Sequence, residues 1–177
     1  MKNIYLLVGP SGSGKSSIAE KLQEEYGYKQ VYSYTERPPR SSTEKGHVFV
    51  TSEEFDGLGT LCAYTIYNGY RYGVTPSLID KCDVYVIDPP GVEYMKKHYV
   101  GCKGIYVIGI DCPETECRKR MILRGDSIDK VEKRLELDKE VFKELYNIAD
   151  CVVMNTTNIL DSVHTIHAII ETEEQRG

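Results

Sequence analysis

The chain has 177 residues, 41% apolar and 28% charged, with a formal charge of −5. That composition describes one globular domain able to bury its own core, and it excludes collagen, extended disorder and a low-complexity scaffold. The acidic balance argues against a broad nucleic-acid-binding face, and no apolar run approaches the ~20 residues that a membrane span needs.

The N-terminal stretch carries no signal-peptide pattern. Six cysteines, at 62, 82, 102, 112, 117 and 151, include no Cys-x-x-Cys pair. They read as free thiols in a reducing compartment, so the expected location is cytoplasmic. The expected assembly is a monomer or homodimer.

Residues 4–8 form a short apolar run ended by Gly9-Pro10, which predicts a buried strand. Residues 16–26 have helical composition, with Ile18, Leu22 and Tyr26 spaced by four. Segment 29–80 then breaks the rhythm. It holds Arg37-Pro38-Pro39-Arg40, a polar stretch 41–46, and short alternating runs rich in Tyr and Thr. These predict a small β-rich insert over 32–80, built from antiparallel hairpins. Strand signals return at 84–87, 104–110 and 151–154, each closed by polar or turn residues. Helix candidates lie between and after them, at 91–99, 113–123, 129–148 and 158–173. Strands alternating with helices predict an α/β core whose parallel sheet is covered on both faces.

Residues 9–16 read Gly-Pro-Ser-Gly-Ser-Gly-Lys-Ser, the phosphate-loop pattern, placed between a predicted strand and helix. Gly9, Gly12 and Gly14 let the backbone curl so that N–H groups, including those of Ser11, Ser13 and Ser17, can face phosphate oxygens. Lys15 supplies a point charge to the terminal phosphates, and Ser16 a hydroxyl to Mg²⁺. The expected cofactors are ATP and Mg²⁺. Asp88 closes the 84–87 strand at the sheet edge where ligands bind, which makes it a second candidate for Mg²⁺. Its alternative role is to cap the turn before Pro89.

Phosphoryl transfer between two nucleotides gathers many negative charges and needs several cationic clamps. Arg37 and Arg40 flank two stiff prolines, Arg124 follows the basic run 118–120, and Arg134 lies in a helical stretch. The short chain and these arginines favour a kinase over a motor ATPase. A GTPase should carry Asn-Lys-x-Asp, and this chain has none.

Those motifs resemble the guanylate kinase family. The resemblance covers nearly the whole chain, through residues 9–16, 33–40, Glu44-Lys45-Gly46, Glu54-Phe55, Gly69-Tyr70-Arg71-Tyr72-Gly73, Asp88-Pro89-Pro90-Gly91, Arg124-Gly125, Lys133-Arg134 and Val153-Met154-Asn155. It implies a P-loop core (1–31, 81–123 and 135–177), a nucleoside-monophosphate insert (32–80) and a lid (124–134). It also implies small-molecule nucleotide substrates and a reaction from ATP and GMP or dGMP to ADP and GDP or dGDP. By resemblance, Lys15 serves ATP, and Arg37, Arg40 and Tyr72 hold the acceptor phosphate. Ser33 approaches the acceptor base, Arg124 and Arg134 steady the moving phosphoryl group, and Asn155 lies near adenine.

The departures from the family fall in the acceptor site. Ala63 stands where the family has a guanine-binding Glu, Val74 where it has Ser or Thr, and His47 where it has a phosphate-binding Tyr. Val86 replaces an Asp, and Arg71, replacing a Tyr, is expected to add a cation to the pocket. Two alternatives follow: a kinase for another nucleoside monophosphate, or an inactive binding module of this family.

Overall fold

The computed structural model describes residues 2–39, 44, 46–67, 69–156 and 158–176. In chain order the elements begin with β1 (Asn3–Val8) and α1 (Lys15–Tyr26). There follow β2 (Ser33–Thr35), β3 (His47–Phe49), α2 (Ser52–Asp56), β4 (Ala63–Tyr67), β5 (Tyr70–Val74) and α3 (Pro76–Lys81). Then come β6 (Val84–Val86), α4 (Pro89–His98), β7 (Gly104–Asp111) and α5 (Glu114–Leu123). The chain finishes with α6 (Ile128–Val141), α7 (Leu145–Ile148), β8 (Cys151–Met154) and α8 (Ile159–Arg176).

The core sheet is parallel throughout, ordered β6–β1–β7–β8. Ile4, Tyr5, Leu6, Leu7 and Val8 are fully buried, as expected of a central parallel strand covered on both faces. On one face α1 and α8 pack through Ile18, Leu22, Val163, Ile166 and Ile170. Helix α1 stops at Gly27, whose left-handed φ of 75° lets its N–H reach back to the Gln23 carbonyl. Helix α4 starts on Pro89-Pro90, where the missing N–H groups cost nothing, and ends in Lys96, Lys97 and His98, which suit its negative terminus.

The second sheet is ordered β3–β2–β5–β4. The predicted hairpin is present, with β4 antiparallel to β5 and β5 antiparallel to β2. One expectation is corrected: β2 and β3 run parallel, Ser33 facing His47 and Thr35 facing Phe49. The 36–46 connection is long enough to return the chain to the same end of the sheet, which a tight hairpin turn cannot do. Two short helices were not anticipated. Thr51 and Glu54 form a reciprocal capping box for α2, and Pro76 follows Thr75 at the start of α3.

The predicted 129–148 helix divides into α6 and α7 at Phe142. Val131 and Leu135 are buried against Cys112, Cys117 and Met121. Leu145 is buried in a different cluster, with Ile4, Leu6, Val107, Ala63 and Val74. A straight helix cannot serve both, so the chain bends. All six cysteines are free, and only Cys102 is exposed. Among the described residues no helix is long and apolar enough to cross a membrane.

Candidate active site

The phosphate loop leaves β1 at its C-terminal end and enters α1. Gly12 and Gly14 hold φ of 78° and 96°, which side chains rarely adopt. Space is equally restrictive at Gly12, where a Cβ would stand 2.5 Å from the Cys117 carbonyl oxygen. The loop is braced from below. Asn155 is buried, and its Nδ2 donates to the Ser13 carbonyl at 2.7 Å, while its Oδ1 accepts from Ser162 at 3.2 Å. Ser13 is itself fully buried.

Lys15 is half-buried. Its Nζ donates to the Gly9 and Pro10 carbonyls at 2.5 and 2.8 Å, with the Phe142 ring 5.9 Å away. Burial lowers its pKa to about 8, and Asp138 pulls in the opposite direction. Asp138, on α6, accepts a hydrogen bond from the Ser11 N–H at 2.6 Å.

Ser11, Gly12, Gly14, Lys15, Ser16, Ser17, Arg120, Arg124 and Arg134 surround one cavity of about 450 Å³. Four cations therefore converge on the N–H groups of the loop and the positive end of α1, a suitable environment for a polyphosphate. Arg124 also pairs with Asp126, and Arg120 donates to the Asn155 and Ser13 carbonyls at 2.9 and 3.4 Å. Sequence reasoning named Arg120 only as part of the basic run 118–120, although its spacing of four from Arg124, the residue that closes the same helix, was the available signal.

Asp88 lies half-buried at the end of the core sheet. Its Oδ1 accepts from the Gly91 N–H at 2.9 Å, so it is the N-cap of α4. Burial raises its pKa, while Gly91 and Lys15 oppose the rise. The second carboxylate oxygen and the exposed Ser16 hydroxyl remain as hard oxygen donors. Among the described residues no group of three metal-binding side chains exists. Mg²⁺ commonly binds through one or two protein oxygens plus substrate phosphates, and this donor set fits that habit.

A second constellation lies in the insert. Arg37 is buried, donates from Nε to the Tyr72 hydroxyl at 3.0 Å, and forms a two-pronged ion pair with Glu44 at 2.6 and 3.3 Å. Its guanidinium stacks 5.3 Å from the Phe49 ring centre. Glu44 raises the Arg37 pKa further. Ser33 Oγ and His47 Nδ1 are 2.9 Å apart, and the His47 ring lies 5.3 Å from that of Tyr72. Ala63 and Val74 face each other across β4 and β5, both buried. Arg40 lies outside the described residues.

Asn155 is 2% exposed with both amide ends engaged, so its side chain braces the loop. One expectation is revised. Arg71 does not enter the acceptor side. It pairs with Glu36 at 2.6 Å and Asp56 at 2.5 Å and stacks on Phe55, toward α2.

The guanylate kinase family model matches residues 1–173. The guanylate kinase of Mannheimia succiniciproducens is 32% identical, over 94% of this chain and 88% of its own length. That of Shewanella violacea is 33% identical, over 86% and 79%. The crystal structure of guanylate kinase from Anaplasma phagocytophilum superposes with a TM-score of 0.65 at 26% identity, covering 97% of this chain and 86% of that one. With a phosphate loop, converging arginines and an arginine–tyrosine insert in one fold, the chain belongs to the guanylate kinase family.

Proposed function

We propose that this chain is a phosphotransferase that moves the γ-phosphoryl group of ATP to the 5′-phosphate of GMP or dGMP. The observation that carries this reading is the convergence of Lys15, Arg120, Arg124 and Arg134 on the phosphate-loop cavity. Such a site stabilises charge as it moves between two phosphates.

In this reading the loop N–H groups hold the donor phosphates, and Lys15 leaves the loop carbonyls to meet them. Arg124 and Arg134 follow the moving phosphoryl group. Residues 124–134 act as a lid that excludes water, and 32–80 act as the acceptor-binding insert. Arg37 and Tyr72, with Arg40, receive the acceptor phosphate, and Ser33 meets the base. Ser16 and the free oxygen of Asp88 are the groups that would hold Mg²⁺. When bound, that ion neutralises charge on the phosphate oxygens. No covalent intermediate or strong base is required, because the acceptor phosphate is already an anion.

The test is ADP formation from Mg·ATP with a panel of nucleoside monophosphates. GMP should be turned over, and Lys15→Ala should lower kcat by about a hundredfold or more. ATP binding without ADP formation from any acceptor would instead favour the binding-module alternative.

A further inference from the structure

Arg120 lies in α5 and Arg124 closes it, and both line the phosphate cavity, yet they spend their N–H groups differently. A guanidinium carries five N–H donors in one plane, and its end, Nη1 beside Nη2, forms a fork that matches two oxygens of a phosphate. Arg120 donates from Nη1 to the Ser13 carbonyl and from Nη2 to the Asn155 carbonyl, so both of its end nitrogens are engaged by backbone. Arg124 is held by its other edge. Its Nε and Nη2 both donate to one oxygen of Asp126, Oδ2, at 2.9 and 2.5 Å. The three remaining N–H groups, which include the end fork, have no partner among the described residues.

The sequence Arg124-Gly125-Asp126 builds this hold. Helix α5 ends in a Schellman turn, with the Gly125 N–H donating to the Ile122 carbonyl at 2.9 Å and the Asp126 N–H to the Met121 carbonyl at 3.1 Å. Gly125 takes a left-handed φ of 96°, and a Cβ there would meet nothing within 4 Å. The turn therefore needs glycine for its dihedral and not for space. Met121 is fully buried and gives the turn a fixed floor. Folding back over that floor brings the Asp126 carboxylate beside the guanidinium two residues earlier.

The pair is open to solvent, its side chains 50% and 28% exposed. An exposed ion pair adds little to stability. Its effect is on direction. A long side chain gripped at one edge loses rotational freedom before a ligand arrives, and that ordering no longer has to be supplied on binding. Arg124 lines the cavity, whereas Asp126 does not, so the gripped edge faces away from the cavity and the open end is the one left to meet a phosphate.

We propose that Asp126 is a positioning residue for phosphoryl transfer: by gripping the Nε edge of Arg124 it presents the end fork of that guanidinium to the cavity, where it clamps a phosphate of the donor nucleotide through two oxygens. This rests on the phosphotransferase reading above. Asp126 acts through Arg124 and does not itself touch the nucleotide. Arg120, with its end nitrogens on the Ser13 and Asn155 carbonyls, braces the loop instead.

The experiment compares wild type, Asp126→Ala, Asp126→Asn, Arg124→Ala and the double variant Arg124→Ala/Asp126→Ala. It reads kcat, both KM values, the dissociation constant of Mg·ATP by titration calorimetry, and the melting temperature. Asp126→Ala should lower kcat about tenfold, within the range that misplacing a reacting group costs. Its melting temperature should stay within about 2 °C of wild type, because the pair is exposed. Asp126→Asn, whose amide oxygen still accepts from the Nε edge, should recover most of the loss. In the Arg124→Ala background, Asp126→Ala should cause no further loss. Additive losses in the double variant overturn the proposal. So does a wild-type or raised kcat in Asp126→Ala, which would show that the carboxylate is idle or holds Arg124 away from phosphate. If the wild type phosphorylates no monophosphate, the kinase reading fails, and the Mg·ATP dissociation constants decide this proposal alone. Weaker ATP binding in Asp126→Ala, with no such effect in the Arg124→Ala background, supports it, and unchanged binding overturns it.

Discussion

Arg71 shows how the setting of one residue decides its use. Read along the chain it is a cation inside an acceptor motif. In the fold it is locked between Glu36 and Asp56 over the Phe55 ring. That arrangement depresses the Glu36 pKa to about 2, chiefly through the Arg71 hydrogen bonds. The folded value lies below the unfolded one, so the pair contributes stability above about pH 4.5 and loses it as the pH falls toward 2. Glu36→Gln should therefore melt below the wild type at neutral pH, and the gap in Tm should close by about pH 2. A gap that stays constant across that range would contradict the assignment. The phosphate loop was legible in the sequence because its chemistry is contiguous in the chain. Asp138 and Arg120 were not, because each meets the site only through folding. Asp138 lies 127 positions from the Ser11 amide that it accepts from.

Helix α6 does two jobs one turn apart. Arg134 faces the phosphate cavity, while Asp138 holds the backbone of the loop. A hydrogen bond to a charged group contributes about 1.5–3 kcal/mol, enough to hold a glycine-rich loop in register. Asp138→Ala should raise the KM for ATP about tenfold, and Asp138→Asn, whose carbonyl oxygen still accepts, should recover most of the loss. Equal defects in both variants would show that the carboxylate's charge, not its hydrogen bond, matters. The core strands were legible for a simple reason: parallel strands buried on both sides are unbroken apolar runs, as 4–8 and 104–110 are. The insert was less so. Its three-residue strands β2 and β3 are too short to show a period, and their parallel pairing depends on where the 36–46 connection returns. The break between α6 and α7 was hidden because both halves carry apolar residues at helical spacing. Only the presence of two separate cores divides them.

At the scale of the molecule, the largest buried cluster crosses between the sheets. Ile4, Leu6, Val8 and Val107 of the core sheet join Ala63 and Val74 of the insert, with Tyr85 and Leu145 filling between them. Neither sheet can expose its share without exposing the other's. Urea unfolding should therefore be a single transition, with far-ultraviolet circular dichroism and tyrosine fluorescence tracing the same curve. An early, separate loss of the tyrosine signal would mean that the insert melts alone. The thiols carry a practical consequence of this packing. Cys62, Cys82, Cys112 and Cys117 are sealed inside and Cys151 is half-covered, while Cys102 lies open just before β7 begins. The phosphate loop lies beyond the opposite end of that eight-residue strand, about 25 Å away along the sheet. A maleimide dye or surface tether attached to the native chain would react first at Cys102, which offers a built-in handle for single-molecule work at the end of the sheet remote from the nucleotide.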